Sequence, residues 1–143
     1  MPNLGPVTHL TVHCAATPEG RAVTYDQINA WDKAKFGQIS YHYVIELDGK
    51  ITRTLRDDQL GAHTGGHNTG NIGVCYIGGV CADNATPKDT RTDAQKKSLR
   101  EVIKLYQTRY PGIQVLGHRD WPNVQKACPS FDCRASVAAG MPD

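Results

Sequence analysis

Two histidines and a cysteine in this 143-residue chain carry the side chains best suited to metal chemistry. His13 and His118 each fall at or near the carboxyl end of a predicted strand, and Cys128 follows in an irregular segment. Two neutral imidazoles and a thiolate suit Zn2+, and three protein ligands leave a fourth tetrahedral position open for chemistry. His9 rivals His13, because both project from one face of HLTVHC. No CxxC or HExxH spacing marks the site, so a strand histidine, a loop histidine and an inert buried thiol account for the same residues.

Three further side chains have roles that such a centre needs. Lys126 stands two positions before Cys128, so an extended KAC directs both side chains to one side, where an ammonium can stabilise negative charge on a carbonyl oxygen. Tyr41 offers a phenol that orients water or relays a proton. His63, in a glycine-rich stretch, is a candidate for binding a polar substrate group or orienting a catalytic water. Cys128 with His118 also permits a cysteine nucleophile and its base, although no local cysteine-protease signature surrounds the thiol.

The elements that must position these residues follow from periodicity. Thr8 to Cys14 alternates as a first strand, with Leu10 and Val12 opposite Thr11 and His13. Thr24 and Gln27 have capping-box spacing ahead of a helix from about Tyr25 to Lys35, whose apolar residues include Ile28 and Trp31. Asp48-Gly49 separates strands at about Tyr41 to Leu47 and Ile51 to Leu55, a hairpin. Five glycines in the thirteen residues from Gly61 to Gly73 predict a loop whose backbone comes close to something else, and Ile72 to Ile77 a central strand. They form neither GxGxxG nor GxxxxGK, so no nucleotide signature is present.

Thr92 and Gln95 repeat the capping spacing before a helix to about Tyr110, with Leu99, Val102, Ile103 and Tyr106 along one side. A strand from Ile113 ends near His118, and ASVAAGMPD reads as a short tail. The order β, α, β, β, loop, β, α, β predicts an α/β fold with a mixed central sheet flanked by helices.

Length predicts one domain over residues 1–143, large enough to bury roughly two thirds of its unfolded surface. Sixteen Lys and Arg against fourteen Asp and Glu leave +2, too weak a balance to predict a nucleic-acid partner. No stretch approaches the roughly 20 apolar residues that span a bilayer, so membrane insertion is not expected. MPNLGPVTHL lacks a basic and then apolar leader, which predicts cytoplasmic synthesis without a signal peptide. Five cysteines, an odd count, argue against a complete disulfide scaffold, while a Cys75 to Cys81 bridge would close a tight local loop.

HLTVHCAAT, SYHYVIELDGKI, GAHTGGHNTGNIGVCYIGG and KACPSFD closely resemble the zinc-dependent N-acetylmuramoyl-L-alanine amidases of the lysozyme type in T7-like bacteriophages. The broader superfamily includes peptidoglycan recognition proteins. The similarity runs from about Val7 through Asp132 and includes the helix TDAQKKSLREVIKLYQTRY and the strand ending in GHRD. It implies one Zn2+ on His13, His118 and Cys128, and so favours His13 over His9. It also implies catalytic roles for Tyr41 and Lys126. The implied reaction is hydrolysis of the amide between the lactyl group of N-acetylmuramic acid and L-alanine of peptidoglycan. The host wall is then the target, reached after release or membrane permeabilisation.

Recognition proteins of this superfamily that lack the cysteine-position ligand bind peptidoglycan without cutting it; here Cys128 is present. HRDWPNVQKAC departs from the phage pattern in length and composition, which bears on groove shape, and CRASVAAGMPD lies outside the match. Phage lysozymes of this pattern also bind their RNA polymerase, partly through an amino-terminal segment. No local feature here specifies that surface, so a monomer acting on peptidoglycan is expected.

Overall fold

Alternation along HLTVHC divides the molecule. The computed structural model describes residues 3–141. Strands β1 (His9–Cys14), β3 (Tyr43–Ile45), β4 (Ile51–Arg53), β5 (Asn71–Tyr76) and β7 (Gln114–Gly117) form a sheet in the order β4-β3-β5-β1-β7. β1 lies between β5 and β7 and is parallel to both, β3 is parallel to β5, and the β3–β4 hairpin is antiparallel. Two short segments unmarked by periodicity, β2 (Thr17–Pro18) and β6 (Gly79–Val80), pair in parallel beside it.

Leu10 and Val12 face a core completed by Ile72, Val74 and the stripe Leu99, Val102, Ile103 and Tyr106 of α2 (Asp93–Arg109). Each fully buried aliphatic side chain there contributes about 1.5–3 kcal/mol. On the opposite face α1 (Tyr25–Phe36) packs Ile28 against Val23, Val44 and Ile77. Both predicted capping boxes are formed, by Thr24 with Gln27 and by Thr92 with Gln95. Gln95 does more than cap: its side chain is fully buried and donates to the Ile77 carbonyl (2.9 Å). Trp31, by contrast, remains 45% exposed, so the inner contact of α1 is narrower than its apolar residues suggest.

Two expectations need correction. The hairpin strands are shorter than predicted at both ends: at the turn the Glu46 amide already bonds to the Lys50 carbonyl (3.0 Å), and at the far end the Thr54 and Leu55 amides both turn to the His42 carbonyl (2.8 and 3.4 Å), which breaks the ladder. Tyr41 consequently precedes β3, where its carbonyl accepts the Thr54 hydroxyl (2.5 Å). The tail is partly helical: Asp132 caps α3 (Cys133–Ala138) at the Ala135 amide (3.0 Å), and Cys133 and Met141 are buried in the core. Pro142 and Asp143 lie outside the described residues. All five cysteines are free thiols, so no Cys75–Cys81 bridge forms.

Candidate active site

Strand register brings the two histidines together. β1 and β7 pair Val12 with Gly117, so the residues that follow, His13 and His118, emerge side by side with ring centroids 4.6 Å apart. Cys128 arrives on a loop pinned at several points. Its carbonyl accepts the Arg119 amide (2.8 Å), the next carbonyl, of Pro129, accepts the Tyr76 hydroxyl (2.5 Å), and the Ser130 hydroxyl donates to Gly79 (2.8 Å).

Cys128 Sγ lies 3.8 Å from His13 Nδ1. The donor atoms of His13, His118 and Cys128 all fall within 4.8 Å of one another, a group that could hold a metal ion. The Cys14 amide donates to Cys128 Sγ (3.2 Å), which favours negative charge on that sulfur. His9 is not in the group. Its ring packs on Trp121, centroids 5.0 Å apart, and its Nδ1 is 2.8 Å from the Thr8 hydroxyl.

The electrostatics of the two imidazoles suit metal ligation. Burial holds His13 well below the ordinary imidazole value, with His63, His118 and Lys126 adding to the effect, and burial followed by Lys126 lowers His118 as well. Both rings are therefore neutral at physiological pH, with a lone pair to donate. A hydrogen bond shared by Cys14 and Cys128 makes the two thiols compete for ionisation, and burial adds to the rise at Cys128.

Tyr41 lies against His13 with ring centroids 5.2 Å apart. Burial pushes its phenol well above the usual range, and the neighbouring Cys75, Cys128 and Asp32 reinforce the shift. Lys126 is exposed at the rim. His13, His118, Cys128, Tyr41, Lys126 and His63 all line one cavity of about 260 Å³. A second depression of about 310 Å³ shares His63, His118 and Lys126 and continues past Gly65 and Asn68.

His63 borders both depressions from inside the protein. It is 7% exposed and both ring nitrogens meet protein partners, at His13 and Thr64 on one side and the Asn71 carbonyl on the other. Burial holds it neutral, its value lowered to about 3.

Sequence reasoning also missed Asp32, which lines the cavity from α1 with its carboxyl raised chiefly by burial. Nothing in its helical spacing distinguishes it from a solvated acid. Trp121, in the unusual segment before Lys126, donates from Nε1 to the Thr11 hydroxyl (2.9 Å) and stacks on His67 (4.6 Å). It anchors that segment to the polar face of β1.

Fold and site together define an α/β protein with a three-donor, metal-type centre at the ends of parallel strands. The chain belongs to the N-acetylmuramoyl-L-alanine amidase family (Amidase_2), whose model matches residues 3–131. It is 33% identical over 128 residues to the endolysin of Klebsiella phage KP32, covering 89% of this chain and 83% of that one. To the endolysin of Escherichia phage T7 it is 34% identical over 125 residues, covering 86% and 80% respectively. Among solved structures, the endolysin N-acetylmuramoyl-L-alanine amidase LysCS from Clostridium intestinale has the same fold. Its TM-score is 0.81 at 21% identity, covering 99% of this chain and 88% of that one.

Proposed function

We propose that this protein is an endolysin that hydrolyses the amide between N-acetylmuramic acid and L-alanine in peptidoglycan, using one Zn2+ held by His13, His118 and Cys128. The observation that carries the reading is the convergence of those three donors on a cavity that also contains Tyr41 and Lys126. Zn2+ fits the donor set: two neutral imidazoles, and a sulfur that accepts a backbone N–H, within reach of one ion. When bound, the ion supplies a Lewis acid that polarises the scissile carbonyl and makes water more acidic.

The chain's own groups do the rest. Tyr41, kept protonated by burial, orients the attacking water through its hydroxyl rather than acting as a ready phenolate. The Lys126 ammonium, at the rim beside His118, stabilises the negative charge that develops on the carbonyl oxygen. The cavity takes the scissile amide and the adjoining depression accommodates the substrate beyond it.

In this reading residues 1–143 form a single amidase domain that acts as a monomer. No helix among the described residues is long and apolar enough to cross a membrane. The protein reaches the wall from the host cytoplasm after release or membrane permeabilisation.

Digestion of purified wall by the zinc-loaded protein tests the reading. New L-alanine amino termini without new reducing sugars are expected, with turnover abolished by chelation and restored by Zn2+. Cys128→Ala is expected to lower turnover by about three orders of magnitude or more. New reducing sugars alone, or turnover indifferent to chelation, would overturn the proposal.

A further inference from the structure

We propose that His63 is a positioning residue for the metal centre, fixing the tautomer and orientation of His13 rather than contacting substrate. The inference rests on the reading of His13 as a zinc ligand. It starts from the confinement of the His63 ring between two stretches of backbone. A Cβ on Gly73 would lie 2.6 Å from the ring and one on Gly61 2.8 Å from it, distances that leave no space for a side chain at either position.

Within that slot the hydrogen bonds leave one consistent arrangement. His63 Nε2 is 2.9 Å from the Asn71 carbonyl oxygen, which can only accept, so Nε2 carries the proton. The ring's partners, His13, Thr64 and the Asn71 carbonyl, include no acid to hold a second proton on it, so Nδ1 presents a lone pair. His13 Nε2 is 3.0 Å from that Nδ1, and two lone pairs do not face each other at such a distance. His13 Nε2 must therefore carry a proton and donate it. The lone pair of His13 is left on Nδ1, the atom 3.8 Å from Cys128 Sγ and aimed into the donor group.

Surrounding contacts enforce the same result. The Thr64 hydroxyl, 2.9 Å from His63 Nδ1 and 3.4 Å from His13 Nε2, shares the single lone pair on Nδ1 with His13, and when it donates there it accepts the His13 proton itself, so His13 Nε2 is the donor in either case. Asn68 Oδ1 receives the amides of His63 (3.0 Å) and Thr64 (2.8 Å), which holds the segment in register. His63 thus joins a β5 carbonyl to a metal ligand on β1, the arrangement by which a ligating imidazole is oriented and made more basic. The glycine-rich stretch serves this packing, with Gly61 and Gly73 providing the clearance.

The test combines zinc affinity, measured by competition with a chromophoric chelator, with long-range 1H–15N spectra that report histidine tautomers. His63→Leu, which removes the acceptor, is expected to weaken zinc binding about 10- to 100-fold. His63→Gln, which returns an acceptor, is expected to recover most of the loss. In the zinc-loaded wild type both His13 and His63 should carry their protons on Nε2, a readout that needs no variant to fold. Affinity in a folded His63→Leu within twofold of wild type, or a proton on His63 Nδ1, would overturn the inference while leaving the zinc reading intact. A wild-type protein that binds no zinc would overturn both.

Discussion

From Leu10 to His13 the two faces of β1 are buried to the same extent and stabilised in different ways. Leu10 and Val12 are fully buried against the α2 stripe, where the gain scales with apolar area and has little directionality. Thr11 and His13, at most 1% exposed, lie on the other face and depend on named partners. Thr11 donates to Asn71 Oδ1 (2.8 Å) and accepts from Trp121, and His13 meets His63. A polar group that loses such a partner is left unsatisfied in a low-dielectric site. The apolar face therefore tolerates changes of shape that conserve volume, whereas the polar face tolerates few changes of chemistry.

Acid should break this comparison most strongly. His13, His42 and His63 all have folded values below 6.5, each mainly through burial. Below pH 6.5 the unfolded chain binds more protons than the folded one, so stability is steady above about 6.5 and falls as pH drops toward the folded values. His63, lowered to about 3, is alone expected to cost about 3 kcal/mol by pH 4, at ~1.36 kcal/mol per unit below 6.5. Urea denaturation of metal-free protein at pH 7, 5 and 4 measures this. A flat profile would mean that the polar face is not holding its histidines neutral.

A pair of single substitutions then separates the faces. Ile103→Ala, at 1% exposure in the α2 stripe, is expected to lower stability by about 2–5 kcal/mol without changing turnover per folded molecule. Lys126→Ala, at the exposed rim, should leave the urea midpoint unchanged. Its expected effect is a fall in kcat of about 10²- to 10³-fold with little change in KM. Equal losses of turnover in the two variants would show that the core and the site are not separable in this way.

The apolar face was legible in the sequence because its signal is periodic. Leu99, Val102, Ile103 and Tyr106 repeat at helical spacing, Leu10 and Val12 at strand spacing, and both capping boxes lie within four residues. The polar face was legible only in part. His13 and His118 could be placed at strand ends, but choosing His13 over His9 required the β1–β7 register or the family resemblance. The partners of His63 could not be found, because a contact across 50 residues, as with His13, or one through a backbone carbonyl, as with Asn71, leaves no local spacing to read, and Asp32 looks like any solvated acid on a helix. The helix α3 was missed for a related reason. A six-residue helix offers little periodicity, and what holds it is the burial of Cys133 and Met141 against distant core residues.

The two helix caps provide the finest version of the comparison, since the same motif occurs once on each face. At α2, Thr92 receives the Gln95 amide (3.0 Å) and donates to the Leu47 carbonyl (2.7 Å), while Gln95 reaches the Ile77 carbonyl. At α1, Thr24 receives the Gln27 amide at 3.4 Å, near the limit of a hydrogen bond, in an exposed setting. Thr24→Ala is therefore expected to cost about 0.5–1 kcal/mol, the low end for a cap, and Thr92→Ala about 1–2 kcal/mol. Asp32, Lys35 and Phe36, which line the cavity, lie in the last two turns of α1, away from the cap, so Thr24→Ala should leave kcat and KM unchanged. Urea midpoints and wall-digestion kinetics on the two variants measure both effects. A Thr24→Ala loss as large as that of Thr92→Ala would show that burial of the Gln95 network adds nothing to its cap.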